Sequence, residues 1–142
     1  MAEFINTVDV IGDDALTDSI INRSIAEYRD YTLGTIGQYA FYNCTALTTV
    51  DSSAVTSIGN NAFENCSSLT TLILRGTTNV VTLSNSNAFT SSKIASGTGY
   101  IYVPKTLADG TDGVAAYQAA TNWSTYANQF RAIEDYPEIC GG

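Results

Sequence analysis

The chain has 142 residues, 44% of them hydrophobic, and a net charge of −8 from only six Lys and Arg against 14 Asp and Glu. That length and apolar content support one domain with a buried core, and the shortage of cations argues against nucleic acid or an anionic lipid surface, both of which need a basic stripe to meet phosphates. Histidine is absent, which removes the commonest general base and the commonest zinc ligand together.

The N-terminal stretch, positions 1–14, has no basic start and no apolar run of signal-peptide length, and no later segment approaches the ~18 apolar residues of a membrane-spanning helix. We therefore expect synthesis in the cytoplasm without a signal peptide, and no membrane insertion. From Ile11 the run IGDDALTDSII keeps Ile, Gly and Ala of the motif described next, with Asp13 or Asp14 placed as a helix N-cap and Ile25 as a strand residue.

The motif itself is IGQYAFYNCTALTT, positions 36–49, and it returns 22 residues later as IGNNAFENCSSLTT, positions 58–71, with nine of fourteen letters unchanged. A period of this length marks a solenoid, in which each repeat buries its apolar face against its neighbours. Within one repeat the spacing of Ile, Phe and Cys suits one side of a single helical turn, while Leu47 to Val50 and Leu69 to Leu74 alternate as strands. Gly37 and Gly59 permit either a tight turn or close rung packing. Phe41, Phe63 and Phe89 should stack as a column in the core. Cys44 and Cys66 occupy matched positions and are expected as free, buried thiols rather than a disulfide, because side chains at matched positions point the same way. Cys140, near the end, is expected as a tail thiol.

Downstream, LSNSNAFTSS at Leu83 carries one extra residue before Ala88 and Phe89, with Ser92 where a Cys would fall. Tyr100 to Val103 alternates as a further strand ended by Pro104. Beyond it, Val114, Tyr117 and Ala120 share a helical face, Trp123, Ala127 and Phe130 continue as a second short helix, and FRAIEDYP reads as extended and ended by Pro137. These elements would form a cap over the last rung and protect the sheet edge. We expect a single domain over 1–142, with a capping or degenerate repeat over 1–35, repeats over 36–103 and a C-terminal cap and tail over 104–142.

The pattern IGxxAFxxCxxLTTV with its 22-residue period resembles the BspA-type leucine-rich repeat, over residues 11 to about 103. The tail from YIYVPKTL to IEDYP resembles the closing module of such proteins, and the short form resembles copies encoded in prophages of gut bacteria. One departure is ADGTDG, positions 108–113, which interrupts what is one continuous cap helix in the family. The resemblance implies an α/β repeat solenoid of leucine-rich-repeat type, with a short parallel sheet on one side, short helical turns on the other and a helical cap. It further implies a non-enzymatic binding or adhesion module, carried on a virion or released at a cell surface, that recognises a protein or glycan on a bacterial or host surface.

Threading the rungs in register lines up Thr49, Asp51 and Ser53 with Thr71, Ile73 and Arg75, and then with Tyr100 and Tyr102, on the outward face of the sheet. An exposed Ile beside an Arg and two tyrosines has the composition of a recognition patch; ordinary cross-strand stabilisation is the other reading. The ADGTDG turn could offer Asp109 and Asp112 to calcium, but it lacks the repeated acidic positions of a calcium loop, so a plain turn is the alternative and no cofactor is expected. No catalytic constellation is present in the sequence pattern. Open solenoid ends leave a second function class, end-to-end self-assembly into a homo-oligomer.

Overall fold

Each rung of the repeat lays down two strands, one in each of two sheets. The computed structural model describes residues 2–6, 10–11, 25–30 and 34–141. Among them, β1 (Ala2–Asn6), β3 (Ile25–Asp30), β5 (Thr49–Ser52), β7 (Thr71–Leu74), β9 (Tyr100–Val103) and β10 (Phe130–Ala132) form the larger sheet in that order. The shorter strands β2 (Val10–Ile11), β4 (Thr35–Ile36), β6 (Ser57–Ile58) and β8 (Thr82–Leu83) form the second. Every strand pairing within these two sheets is parallel, with Thr49 opposite Thr71 and Ile36 opposite Ile58, so the 22-residue repeat is the register of the sheets. The fold is the α/β repeat solenoid that the sequence implies.

The motif Ile and the residue before it form a second sheet of their own, because the backbone at Thr35–Ile36 and Ser57–Ile58 is extended and pairs from rung to rung. Ile11 stands opposite Ile36, as the degenerate motif requires, and Ile25 begins β3. The N-cap expected at Asp13 or Asp14 lies outside the described residues. One more strand precedes the motif: β1 pairs with β3, Phe4 opposite Tyr28, and no Ile-Gly-Ala-Phe run announces it.

The convex segment is tighter than one helical turn. In the first full rung Ala40, Tyr42 and Cys44 donate their N–H groups three residues back, while Tyr39, Phe41 and Asn43 donate across to Asn60, Ala62 and Glu64 of the next rung. A continuous helix would keep those alternate N–H groups for itself; here they hold rung to rung. The arrangement needs left-handed backbone at Asn43 (φ 64°) and Asn65 (φ 62°), a conformation that Asn tolerates better than most residues. Their side chains add a ladder bond, Asn65 Nδ2 donating to Asn43 Oδ1 at 2.9 Å. Gly59 is there for close packing, since a Cβ at that position would sit 2.6 Å from the Gln38 nitrogen.

Between the layers lies one aromatic column. The Phe41 and Phe63 rings stack at 5.1 Å, and Phe63 and Phe89 at 5.5 Å, nearly parallel in both cases. Tyr28 meets Phe41 edge-on at one end, and Trp123 and Tyr126 cover Phe89 at the other. Cys44 and Cys66 are fully buried beside the column, and Cys66 Sγ donates to the Phe41 carbonyl at 3.1 Å. Burial and the adjacent Cys44 push the Cys66 thiol up, which keeps it protonated and unreactive. Ser92 replaces the third cysteine with a different task. Its hydroxyl donates to the Phe89 carbonyl and accepts from Ala95 N, capping the one-turn helix α1 (Lys93–Ser96).

The C-terminal cap supplies the hydrogen bonds that a further rung would have made. Thr82 N and Ser84 N donate to the Thr56 and Ile58 carbonyls of the rung before them, and Tyr100 N donates to Thr70 O. One rung on, the matching carbonyls of Val81, Leu83 and Gly99 receive side chains instead: the Trp123 indole at 2.7 Å, the Asn122 amide at 2.7 Å and the Gln129 amide at 2.8 Å. The cap consists of α2 (Gly113–Ala119), capped by Asp112, followed by 3-10 turns over Trp123–Gln129 with a kink at Tyr126. The ADGTDG turn thus leaves a cap helix of seven residues. Only Phe130–Ala132 of the expected extended segment is strand; Ile133–Asp135 forms a 3-10 turn. Pro137 opens the short helix α3 (Pro137–Cys140) rather than ending an element, as its fixed φ and missing N–H suit a first helical position.

Candidate functional site

The outward face of the larger sheet carries two rows of side chains with different fates. In one row Glu27, Thr49, Thr71 and Tyr100 stand in register on β3, β5, β7 and β9. Thr49 and Thr71 are half-buried and Tyr100 is 38% exposed. The Arg131 guanidinium lies over the Tyr100 ring, 4.8 Å from its centroid, and donates to the Asn128 and Phe130 carbonyls, so ring and cation hold one another in place.

In the other row Asp51, Ile73, Tyr102 and Arg131 are in register. Ile73 and Tyr102 are not the exposed anchors that the alternation suggests; they are 2% and 4% exposed. The segment 133–140 turns back over the sheet and buries them in a small cluster with Cys140, against which Ile133 and Tyr136 pack. The Tyr136 ring meets Tyr102 edge-on at 5.5 Å. Cys140, expected as a tail thiol, is therefore buried, and desolvation raises its pKa while the Arg75 charge opposes the rise. Burial raises the Tyr102 phenol in the same way, reinforced by Cys140 and Tyr136.

Arg75 and Asp51 are engaged with each other before any partner arrives. Arg75 Nε donates to Asp51 Oδ1 at 2.7 Å and its Nη2 to Oδ2 at 3.0 Å, a bidentate pair that fixes the plane of the guanidinium. Nη2 also donates to the Cys140 carbonyl, which ties α3 to the sheet. Of the residues read as one patch, then, Thr49, Thr71 and Tyr100 remain open, while Asp51, Ile73, Arg75 and Tyr102 form the floor beneath the C-terminal segment. Sequence reasoning missed Arg131, Tyr136 and Cys140 as parts of this face. A signal existed: Ile133, Tyr136 and Cys140 recur at spacings of three and four, an apolar stripe that needs a surface to cover.

Asp109 and Asp112 serve the turn they sit in. Asp109 Oδ1 accepts from the Thr111 hydroxyl at 2.6 Å and from Thr111 N at 3.0 Å, and these bonds lower its pKa. Asp112 Oδ1 accepts from Ala115 N as the cap of α2. Among the described residues no group of three or more His, Cys, Asp or Glu side chains is placed to hold a metal ion. A groove of about 500 Å³ beside the β5–β6 and β7–β8 connections is lined by Ser53, Val55, Gly76, Asn79 and Val80 with further neutral neighbours, so it offers no acid or base. No helix among the described residues is long and apolar enough to cross a membrane.

The family model for the BspA type leucine-rich repeat region matches residues 2–108 in six copies. The chain belongs to the BspA type leucine-rich repeat family. The matched span includes β1 and reaches beyond β9, so the family pattern begins nine residues before the motif at Ile11. Comparison with curated proteins and with solved structures gave no match. BspA type repeats form protein-interaction surfaces, and this chain is accordingly a protein-interaction module.

Proposed function

We propose that this BspA type chain is a non-enzymatic adhesion module that binds a protein or glycan on a bacterial or host surface through the open row Thr49, Thr71 and Tyr100. The observation that carries this reading is Tyr100. It is one of two large hydrophobic side chains exposed among the described residues, the other being Ile139, and Arg131 holds its ring on a rigid parallel sheet. An aromatic ring fixed in that way contacts a partner at little entropic cost. The Thr hydroxyls beside it provide neutral hydrogen-bonding groups for a peptide backbone or a sugar. The resemblance to short prophage-encoded copies supports a place on a virion or at a cell surface, after synthesis in the cytoplasm.

End-to-end self-assembly has less support, because the carbonyls of the last rung at Val81, Leu83 and Gly99 already have partners in the cap. To test the adhesion reading, fluorescently labelled protein is incubated with intact bacterial cells and with an array of surface glycans. The double variant Tyr100→Ala, Thr71→Arg should lose ~10-fold or more of the captured signal with an unchanged melting temperature. Undiminished capture by that variant removes the open row from consideration.

A further inference from the structure

The covered part of the outer face concentrates charge in a way the repeat does not require. Three of the six Lys and Arg residues of the whole chain, Arg75, Lys105 and Arg131, surround the returning segment, which itself carries Glu134, Asp135 and Glu138. The Lys105 backbone N–H donates to Glu134 Oε1 at 2.9 Å, and its ammonium group to Asp135 Oδ1 at 3.1 Å. Lys105 and Arg131 line one groove of about 310 Å³ together with Asp112, Asp135 and Tyr136. Three cations against Asp51 and Asp112 leave this face with a slight positive excess in a protein of net charge −8, and an acidic peptide of its own chain covers it.

The way the segment is held suits release. Ile73, Tyr102 and Cys140 form a cluster separate from the main core that contains the aromatic column, so removing the segment would uncover only that cluster. Helix α3 is a single turn whose first residue lacks a side-chain cap, and such a helix has little stability away from its contacts. The ion pair of Lys105 with Asp135 is exposed on both sides and weak. Elements with few buried contacts and solvated bonds open locally, well below the cost of global unfolding.

We propose that the face around Ile73, Arg75, Tyr102, Lys105 and Arg131 is a docking site for an acidic peptide with aromatic and aliphatic anchors, and that residues 133–140 are its resident, displaceable occupant. Asp51 neutralises much of the Arg75 charge, so Arg75 acts mainly as an oriented donor to a main-chain carbonyl, the part Cys140 O now plays. Lys105 and Arg131 attract the carboxylates, and the Ile73 and Tyr102 surface takes the aromatic ring. The site borders the open row of Thr49, Thr71 and Tyr100 and shares Arg131 with it, but its test reads Cys140 and a peptide and so is independent of surface capture.

The three cysteines make the opening measurable in the full chain. Cys44 and Cys66 lie in the main core and Cys140 beneath the segment, so a thiol reagent under native conditions should modify Cys140 alone. Tyr136→Ala, which removes the ring packed on Tyr102, should speed that reaction ~10-fold by shifting the population toward the open state. A fluorescein-labelled peptide of sequence IEDYPEIS, the segment with Ser for its cysteine, should bind full-length Tyr136→Ala ~10-fold more tightly than the parent. Adding Lys105→Glu should weaken that binding, and raised salt should do the same. Modification of all three thiols together would show that the segment opens only with the whole fold, overturning displacement. Failure of the peptide to bind a variant whose Cys140 reacts freely would overturn docking.

Discussion

The two faces of the larger sheet are covered by opposite strategies. On the inner face Val50, Leu72 and Ile101 are completely buried, and every rung brings its own cover: Phe41, Phe63 and Phe89 lie a short turn away in sequence from the strands they pack on. On the outer face cover comes once, from far away. The bond from Arg75 to the Cys140 carbonyl spans 65 residues, and it protects only the row of Ile73 and Tyr102. Repetition thus makes the inner face uniform and stable, while the outer face is made uneven by one returning segment. A uniform interior with an uneven exterior is what a binding module needs, because recognition requires a surface that differs from place to place.

The largest expected effect tests the inner face. Phe63 stacks between Phe41 and Phe89 with no exposure, so Phe63→Ala should cost about 3–5 kcal/mol in a denaturant titration, a large part of a small domain's stability. A variant as stable as the parent would mean that the column does not hold the rungs together. Next comes the junction with the cap. The Tyr117 phenol is pushed up to about 12 by burial, while it accepts a hydrogen bond from Val81 N. The folded state therefore keeps the Tyr117 proton where the unfolded chain has lost it. Stability is fully present below pH ~10 and should fall by about 2–3 kcal/mol as pH rises from 10 toward 12. Tyr126 shifts in the same direction, also through burial. Unfolding curves at pH 9 and pH 11.5 that coincide would contradict the buried cap.

A smaller effect separates two glycines. Gly59→Ala puts a methyl group 2.6 Å from the Gln38 backbone and should cost about 1–3 kcal/mol, whereas at Gly76 the nearest atom, Ser53 O, stands at 3.4 Å and the cost should be lower. Equal melting temperatures for the two variants would remove the argument for close rung packing. The smallest stability effect belongs to the outer face, where Tyr100→Ala should stay within about 0.5 kcal/mol of the parent while reducing surface capture.

The solenoid was legible because its evidence is repeated. Ile36, Ala40, Phe41, Cys44 and Leu47 return as Ile58, Ala62, Phe63, Cys66 and Leu69, all buried or nearly so, and a pattern stated twice leaves little choice of register. The outer face was legible in register and not in exposure. Alternation correctly placed Ile73 opposite Asp51 and Tyr102 opposite Ile73, yet alternation describes only which side of a strand a residue faces. It says nothing of what lies on that side. Cys140 shows the same limit, since a residue near the chain end looks free until the surface it returns to is known.

The amino-acid sequence by itself determined the period, the parallel register, the aromatic column and the end of the stack. These follow from contacts between neighbouring rungs, and matched letters 22 residues apart report such contacts directly. Only the tertiary structure decided that the Trp123, Asn122 and Gln129 side chains take the hydrogen bonds of the rung that does not follow, and that 133–140 closes over Ile73 and Tyr102 on the outer face. Both depend on where a non-repeating tail meets the solenoid in space. A local pattern carries no information about that meeting, because the interacting groups are neither periodic nor near one another along the chain.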